Sequence, residues 1–374
     1  GASALENIES YPMALRVWRT QMHWLGGMGI IVFATALLPS MGIGGQIVAS
    51  AETPGPTLSK LTARFSDTAK DLYKLYLVFT AAEAILLSIG GMSVYDSLIH
   101  TFGTVGTGGF SDYADNVGHF TSPYIQWVII LFMLMCGTNF NLYFLILRRK
   151  IKDFFGDEEL RFYLFLVFSF ASLSAACLMV QGGYTSVSKA VRDSFFHISS
   201  VVTTTGYATT DYNIWPSFPK VLILILTITG ACASSTGGGV KMIRILTAIK
   251  FVKRGFFMKL HPHRVINLTV NREPVQQTVV SNIVNFLFLY IAVLFAGTAI
   301  VSIDGYDIVT NFTAALTCLS NVGPGLGAVG PAGNFAGFSD FSTLILAILM
   351  IAGRLELFTF FMMFSRHYWN SNRV

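Results

Sequence analysis

The chain has 374 residues, of which 53% are apolar and only 12% charged, whereas soluble domains carry about a quarter charged. Twenty-five Lys and Arg against 20 Asp and Glu is too small an excess for a nucleic-acid surface, and a mean hydropathy of +0.59 points to lipid as the solvent. These values exclude a disordered chain, a disulfide scaffold and an ordinary cytosolic enzyme.

A hydrocarbon core about 30 Å thick asks for about 20 apolar residues per spanning helix. Taken in chain order, residues 24–38 form a short first candidate, Gly-rich at its start. Segments 72–89, 124–147 and 160–180 follow, then an unusually short run at 218–233. Segments 278–302 and 341–364 read as long, plain spans. A buried soluble core does not explain seven such runs, so the chain reads as a polytopic helical membrane protein.

Positive charge orients it. Lys60, Arg64 and Lys70 lie between the first and second spans, and Arg148, Arg149, Lys150, Lys152 and Arg161 between the third and fourth. The stretch 241–272 carries eight more, and Arg366 and Arg373 end the chain. The opposite loops, 109–122, 207–217 and 324–340, have no Lys or Arg but contain Asp112, Asp115, Asp211 and Asp340. The basic side is therefore cytoplasmic. The acids on the other side read equally as a solvated rim and as a device that raises local cation concentration. Cys136, Cys177, Cys232 and Cys318 lie in apolar runs and read as small hydrophobes. His261 and His263 flank a proline in the basic loop, a weak metal signal.

Between the spans lies a repeat: YDSLIHTFGTVGTGGFSDY at 95–113, RDSFFHISSVVTTTGYATTDY at 192–212 and YDIVTNFTAALTCLSNVGPGLG at 306–327. In each, an acid (Asp96, Asp193 or Asp307) is expected to cap a helix too short to cross a bilayer. A Gly/Thr turn follows: Gly106-Thr107-Gly108-Gly109, Thr204-Thr205-Gly206-Tyr207 or Asn321-Val322-Gly323-Pro324. Non-helical backbone at membrane depth must be buried in protein or line a watery cavity. Glycine admits positive φ, so carbonyls of three such turns can face one axis and replace the hydration shell of a small cation. Glycines for tight helix packing are the competing reading of any single turn.

The span from Phe218 is interrupted by Gly230, Ser234, Ser235, Thr236 and Gly237-Gly238-Gly239, where each glycine in a helix is unfavourable by roughly 1 kcal/mol. A cytoplasmic linker is one reading. The other, which the short preceding run favours, is a break inside the membrane just below the turns. Arg354, midway along the last run, should face the bundle interior. It either pairs with Glu356 or Glu83, or holds the glycine loop closed through its carbonyls.

These motifs resemble the Trk/Ktr superfamily of potassium-uptake proteins, its TrkH-like branch most closely, over essentially the whole chain. The resemblance rests on TVGTGGFS (104–111), TTTGYA (203–208), SNVGPGLG (320–327), GACASSTGGGVKMIR (230–244) and GRLELFT (353–359). It implies an all-α membrane fold of four pseudo-symmetric helix–pore-loop–helix repeats around one pore. Filter glycines would be Gly108, Gly206 and Gly323, with Gly1 and Ala2 as the end of the first filter turn. The first repeat would then be incomplete in this chain. The repeats would divide at 1–70, 71–159, 160–272 and 273–374. The potassium ion would be held by Thr107, Gly108, Thr205, Gly206, Val322 and Gly323, with rubidium or sodium also able to pass and no organic cofactor. The glycine loop and Arg354 would form the gate.

The resemblance further implies a non-enzymatic protein of a bacterial cytoplasmic (inner) membrane, a homodimer, and a cytoplasmic nucleotide-binding regulatory subunit (TrkA-like). Residues 250–264 read equally as its docking surface and as a lipid-headgroup contact. Nucleic acid is not an expected partner. The competing class is a cation-coupled secondary transporter, since broken helices and re-entrant hairpins occur there too.

Overall fold

The computed structural model describes residues 2–5, 8–27, 29, 65–261 and 267–364. Helix α1 spans Met13–Gly27. Helix α2 (Phe65–Ile89) leads to the short α3 (Val94–Val105), then α4 (Pro123–Cys136) and α5 (Phe140–Leu147). A one-turn-plus connector, α6 (Ile151–Gly156), precedes α7 (Glu158–Val180), the short α8 (Val187–Val202), α9 (Ser217–Thr229) and α10 (Met242–Leu260). A hairpin of β1 (Thr269–Val270) and β2 (Glu273–Pro274) precedes α11 (Gln277–Val301), the short α12 (Ile308–Ser320), α13 (Asp340–Arg354) and α14 (Leu357–Met362). The hairpin turns through Asn271 and Arg272, both at positive φ (52° and 66°), the pairing a type I′ turn requires. Among the described residues, α2, α7 and α11 are each long and apolar enough to cross a membrane as one helix.

The unit long helix, short helix, return loop, broken helix thus occurs three times. Each short helix is packed in the same way. Helix α3 touches its own α2 and α4 and also α1; α8 touches α7, α9 and α4; α12 touches α11, α13 and α9. Every short helix is therefore held by the outer and inner helices of its own repeat and by the inner helix of the repeat before. Helix α1 plays that last part for α3. Repetition of one packing rule around an axis gives rotational pseudo-symmetry, and each unit has its own core: one around Met133 and Phe140, one around Tyr163 and Ile198, one around Leu316 and Leu346.

Several expectations need correction. Helix α1 begins at Met13 rather than at residue 24, and the remainder of the expected span, 30–38, lies outside the described residues. The run 124–147 is not one straight helix: α4 and α5 meet at 95°. Gly137, Thr138 and Asn139 form the break, and Asn139 caps α5 by accepting the Asn141 N–H at 2.9 Å. The run 341–364 is not plain either, because Leu355 and Glu356 separate α13 from α14, with Glu356 at φ 66°. After the glycine loop the helix resumes at Met242.

The caps also differ. Asp307 does cap α12, taking the Thr310 N–H at 3.2 Å. In the other two repeats a serine does so: Ser93 takes the N–H of Asp96 at 3.0 Å and Ser186 that of Lys189 at 3.4 Å. Asp96 therefore sits inside the first turn, favourable for the helix dipole, and Asp193 is buried within α8, bonded to the Tyr184 hydroxyl at 3.0 Å. All four cysteines are free thiols.

Candidate functional site

The turns that follow α3, α8 and α12 have one backbone design. Thr107, Thr204 and Asn321 take the left-handed conformation (φ 51°, 57° and 59°). Two residues later Gly109, Gly206 and Gly323 are again at positive φ (67°, 84° and 111°). Hydrogen bonds fix the register: the N–H of Gly108, Thr205 and Val322 donates to Gly103, Ser200 and Thr317 at 2.8, 2.9 and 2.9 Å. The backbone counterpart of Gly206 and Gly323 is therefore Gly109, and Gly108 matches Thr205 and Val322. Gly106 merely ends α3 in helical conformation, φ −77°. Left-handed conformation at a non-glycine residue is unfavourable by roughly 1–2 kcal/mol. Its recurrence at Thr107 and Thr204 marks a backbone shape imposed by its surroundings, a common property of functional sites.

The turns lie edge to edge. A Cβ placed on Gly109 would run into the Thr205 carbonyl oxygen, and one on Gly206 into the Val322 carbonyl oxygen. Repeat two thus abuts repeat three, and repeat three abuts repeat four, each through a glycine face and a carbonyl. Polar side chains lock the turns from behind. Tyr207 donates from its hydroxyl to the carbonyls of His100 and Phe110 (3.0 and 3.2 Å). His100 and His197, buried at matching helix positions, bond Ser111 at 3.0 Å and Thr210 at 3.1 Å in the returning loops.

A cavity lies on each side of this ring. The outer one, about 210 Å³, is lined by Gly109, Gly206, Gly323 and Ser3. The inner one, about 290 Å³, is lined by Thr107, Thr204, Asn321, Thr236, Gly238 and Arg354. Gly1 lies outside the described residues. Ala2 packs against the repeat-four core, and the Ser3 carbonyl accepts the Phe335 N–H at 2.9 Å.

The glycine loop fills the inner end of the axis. The Gly238 N–H donates to Thr204 Oγ1 at 2.6 Å, Thr107 Oγ1 donates to the Thr236 carbonyl at 3.0 Å, and Gly238 lies against the Ser320 carbonyl. One loop therefore touches the turns of all three repeats. Gly230 (φ 68°) ends α9, and Gly230 and Gly239 (φ 78°) pack backbone to backbone to close the loop's neck. Ser234, at φ 52°, accepts the Phe140 N–H at 3.0 Å. Ser235 bonds within the loop, to the Cys232 carbonyl, and the Lys241 ammonium reaches the Gly237 carbonyl.

Arg354 donates to the Thr236 carbonyl at 3.2 Å and to the carbonyls of Gly26 and Gly27 at 2.5 and 3.3 Å. It bridges the glycine loop to the end of α1. Glu356 instead pairs with Arg244, at 2.8 Å, and Glu83 is fully buried on α2, near Thr104 of α3.

Some participants had no signal in the sequence. The break at Gly137 receives the loop directly: Cys232 donates to the Gly137 carbonyl at 3.1 Å, and the Thr236 hydroxyl to that of Cys136 at 3.2 Å. Arg19 and His23 project from α1 into the inner cavity, Arg19 lying over the Phe110 ring at 3.6 Å. Lys250, within the expected docking stretch, is tied to Glu158, and residues 262–266 of that stretch lie outside the described residues.

Residues 1–371 match the sequence family described as TrkH, a cation transport protein. The chain is similar to the Trk system potassium uptake protein TrkH of Escherichia coli K12, 35% identical over 371 residues, which are 99% of this chain and 76% of that protein. TrkG of the same organism is 33% identical over 373 residues, covering 99% and 76%. Among solved structures, the potassium transporter TrkH from Vibrio parahaemolyticus superposes with a TM-score of 0.86 at 33% identity, covering 99% of this chain and 76% of that one. With its helical membrane fold, ring of turns and broken inner helices, the chain belongs to the TrkH family of cation transport proteins, a family of transporters rather than enzymes.

Proposed function

We propose that this chain conducts potassium ions across a bacterial cytoplasmic membrane through the axis of its turns, driven by membrane potential, with the glycine loop as gate. One observation carries the reading: three turns of identical backbone design meet edge to edge, and a single loop lies across their inner ends. Carbonyl oxygens of Gly108 and Gly109, Thr205 and Gly206, and Val322 and Gly323 are suited to replace an ion's water, with Gly1 and Ala2 as the proposed contributors from the remaining quadrant. Rubidium or sodium would also pass, because no turn reproduces a complete potassium-channel filter sequence. A potential of about 100 mV is worth about 2.3 kcal/mol per monovalent ion, enough for accumulation without chemical fuel. Positive charge at Arg354 sets an electrostatic barrier at the inner mouth and pins the loop that closes it.

The proposed working assembly is a homodimer in the lipid bilayer, controlled by a cytoplasmic nucleotide-binding subunit that moves the loop. Rubidium uptake into proteoliposomes at an imposed potential tests the core of this reading. Uptake should scale with potential, vanish in Gly206→Ala and rise in Arg354→Ala. Uptake that needs a gradient of a second ion, or that ignores Arg354→Ala, overturns it.

A further inference from the structure

The glycine loop is held at its upper surface by the turns, but its neck needs a fixed point. Glu159 supplies one. It sits in the first turn of α7, is only 4% exposed, and accepts through Oε1 two backbone N–H groups at once: Ala233 at 2.7 Å and Ile243 at 3.1 Å. These two residues flank the loop, one on each arm. The arms are bonded to each other as well, Val240 to Ile228 at 3.2 Å and Met242 to Ala231 at 2.9 Å. The neck is therefore a closed unit, and Glu159 is what ties that unit to an outer helix. Its charged neighbours are Asp157 and Lys241.

The adjoining residues connect this anchor to the cytoplasmic face. Glu158 and Asn271 exchange two bonds, Glu158 N–H to Asn271 Oδ1 at 2.8 Å and Asn271 N–H to Glu158 Oε2 at 3.1 Å. The Asn271 amide also reaches Asp157 at 2.7 Å, and Lys250 of α10 pairs with Glu158. The β1–β2 hairpin and α10 are thereby bolted to the first turn of α7, beside the carboxyl that holds the gate.

Resting on the pore reading above, we propose that Glu159 is a positioning residue for gating: its side-chain oxygen anchors the neck of the glycine loop and holds the loop under the ring. The hairpin at Asn271 is the cytoplasmic handle of that anchor. Both anchor bonds end on one oxygen, so geometry rather than charge defines the role. A glutamine retains that oxygen at the same reach, whereas an aspartate retains the charge but is one methylene too short.

The full-length protein is reconstituted in proteoliposomes, and rubidium influx and the potassium-to-sodium permeability ratio are measured at fixed potential. Glu159→Asp and Glu159→Ala should each raise influx about tenfold, equivalent to about 1.4 kcal/mol in the open–closed balance of the loop, with the permeability ratio unchanged. Glu159→Gln should match the parent. Asn271→Ala should raise influx by a smaller factor. If Glu159→Ala fails to assemble, the Asp and Gln pair decides alone. The reverse order, with Asp like the parent and Gln defective, overturns the proposal in favour of a purely electrostatic role, and unaltered influx in Asp overturns it outright. Absence of influx in the parent protein instead overturns the pore reading on which the anchor rests.

Discussion

The two long elements that frame each short helix have opposite characters. Outer helices α2, α7 and α11 run unbroken, whereas the inner helix of each of the three repeated units is interrupted: at Gly137–Asn139, between Thr229 and Met242, and at Leu355–Glu356. Against lipid, a backbone must satisfy all its polar groups within its own helix. Facing the axis, it can stop, provided neighbours take up the freed groups. Here the breaks serve one another. The repeat-three loop donates to the carbonyls freed at Cys136 and Gly137, while Glu356 at the repeat-four break binds Arg244 at the start of α10. Repeat three carries the long interruption and the other two are shaped to receive it.

The largest expected effect comes from the ring itself. Gly109→Ala places a methyl against the Thr205 carbonyl in left-handed backbone, so rubidium influx should be lost and no second substitution should restore it. Gly108→Ala meets first the His23 side chain, so the double variant with His23→Ala should recover most of the influx. If the two glycines behaved alike, the register of the repeat-two turn would be wrong. The break in the inner helix comes next: Asn139→Ala removes the cap of α5 and should lower stability by about 1 kcal/mol, visible as a fall in melting temperature in detergent. The corresponding change in an unbroken outer helix, Ser169→Ala in α7, should leave that temperature almost unmoved, because this half-buried hydroxyl bonds to carbonyls of its own helix.

The smallest effect concerns pH at the outer face. The Thr310 hydroxyl and N–H hold the Asp307 carboxyl below the usual aspartate range. A depressed carboxyl contributes stability above its ordinary value of about 4, and that contribution disappears as pH falls through the lowered value. Asp307→Asn should therefore flatten slightly the decline of melting temperature in acid. An unchanged profile would show that this cap does not contribute.

Unbroken helices were the easiest part to read, since an uninterrupted apolar run leaves few alternatives. The short helices were legible because they repeat. The break at Gly137 was not, as Gly137-Thr138-Asn139 sits in an apolar run and bends only because residues far along the chain claim its carbonyls. Gly106, Gly108 and Gly109 were equivalent by composition, and only backbone dihedrals distinguish the one at positive φ. Serine caps lost to the more conspicuous aspartates for the same local reason. By position alone Glu159 is a first-turn acid that complements a helix dipole. Its role depends on two amides more than seventy residues away.

Among the described residues, each short helix packs chiefly on the inner helix of the preceding repeat rather than on that of the following one. During synthesis, then, every re-entrant element leaves the ribosome with its own outer helix and the inner helix of the preceding repeat already made, and its own inner helix follows. The assembly can grow one quadrant at a time, each new unit templated by the last. Only the seam between the end and the beginning must wait, where Arg354 reaches Gly26 and Phe335 reaches Ser3. On the proposed pore reading, formation of that seam is the step at which a growing arc would become a closed conduit, so a protein stalled before it would be inserted, helical and leaky.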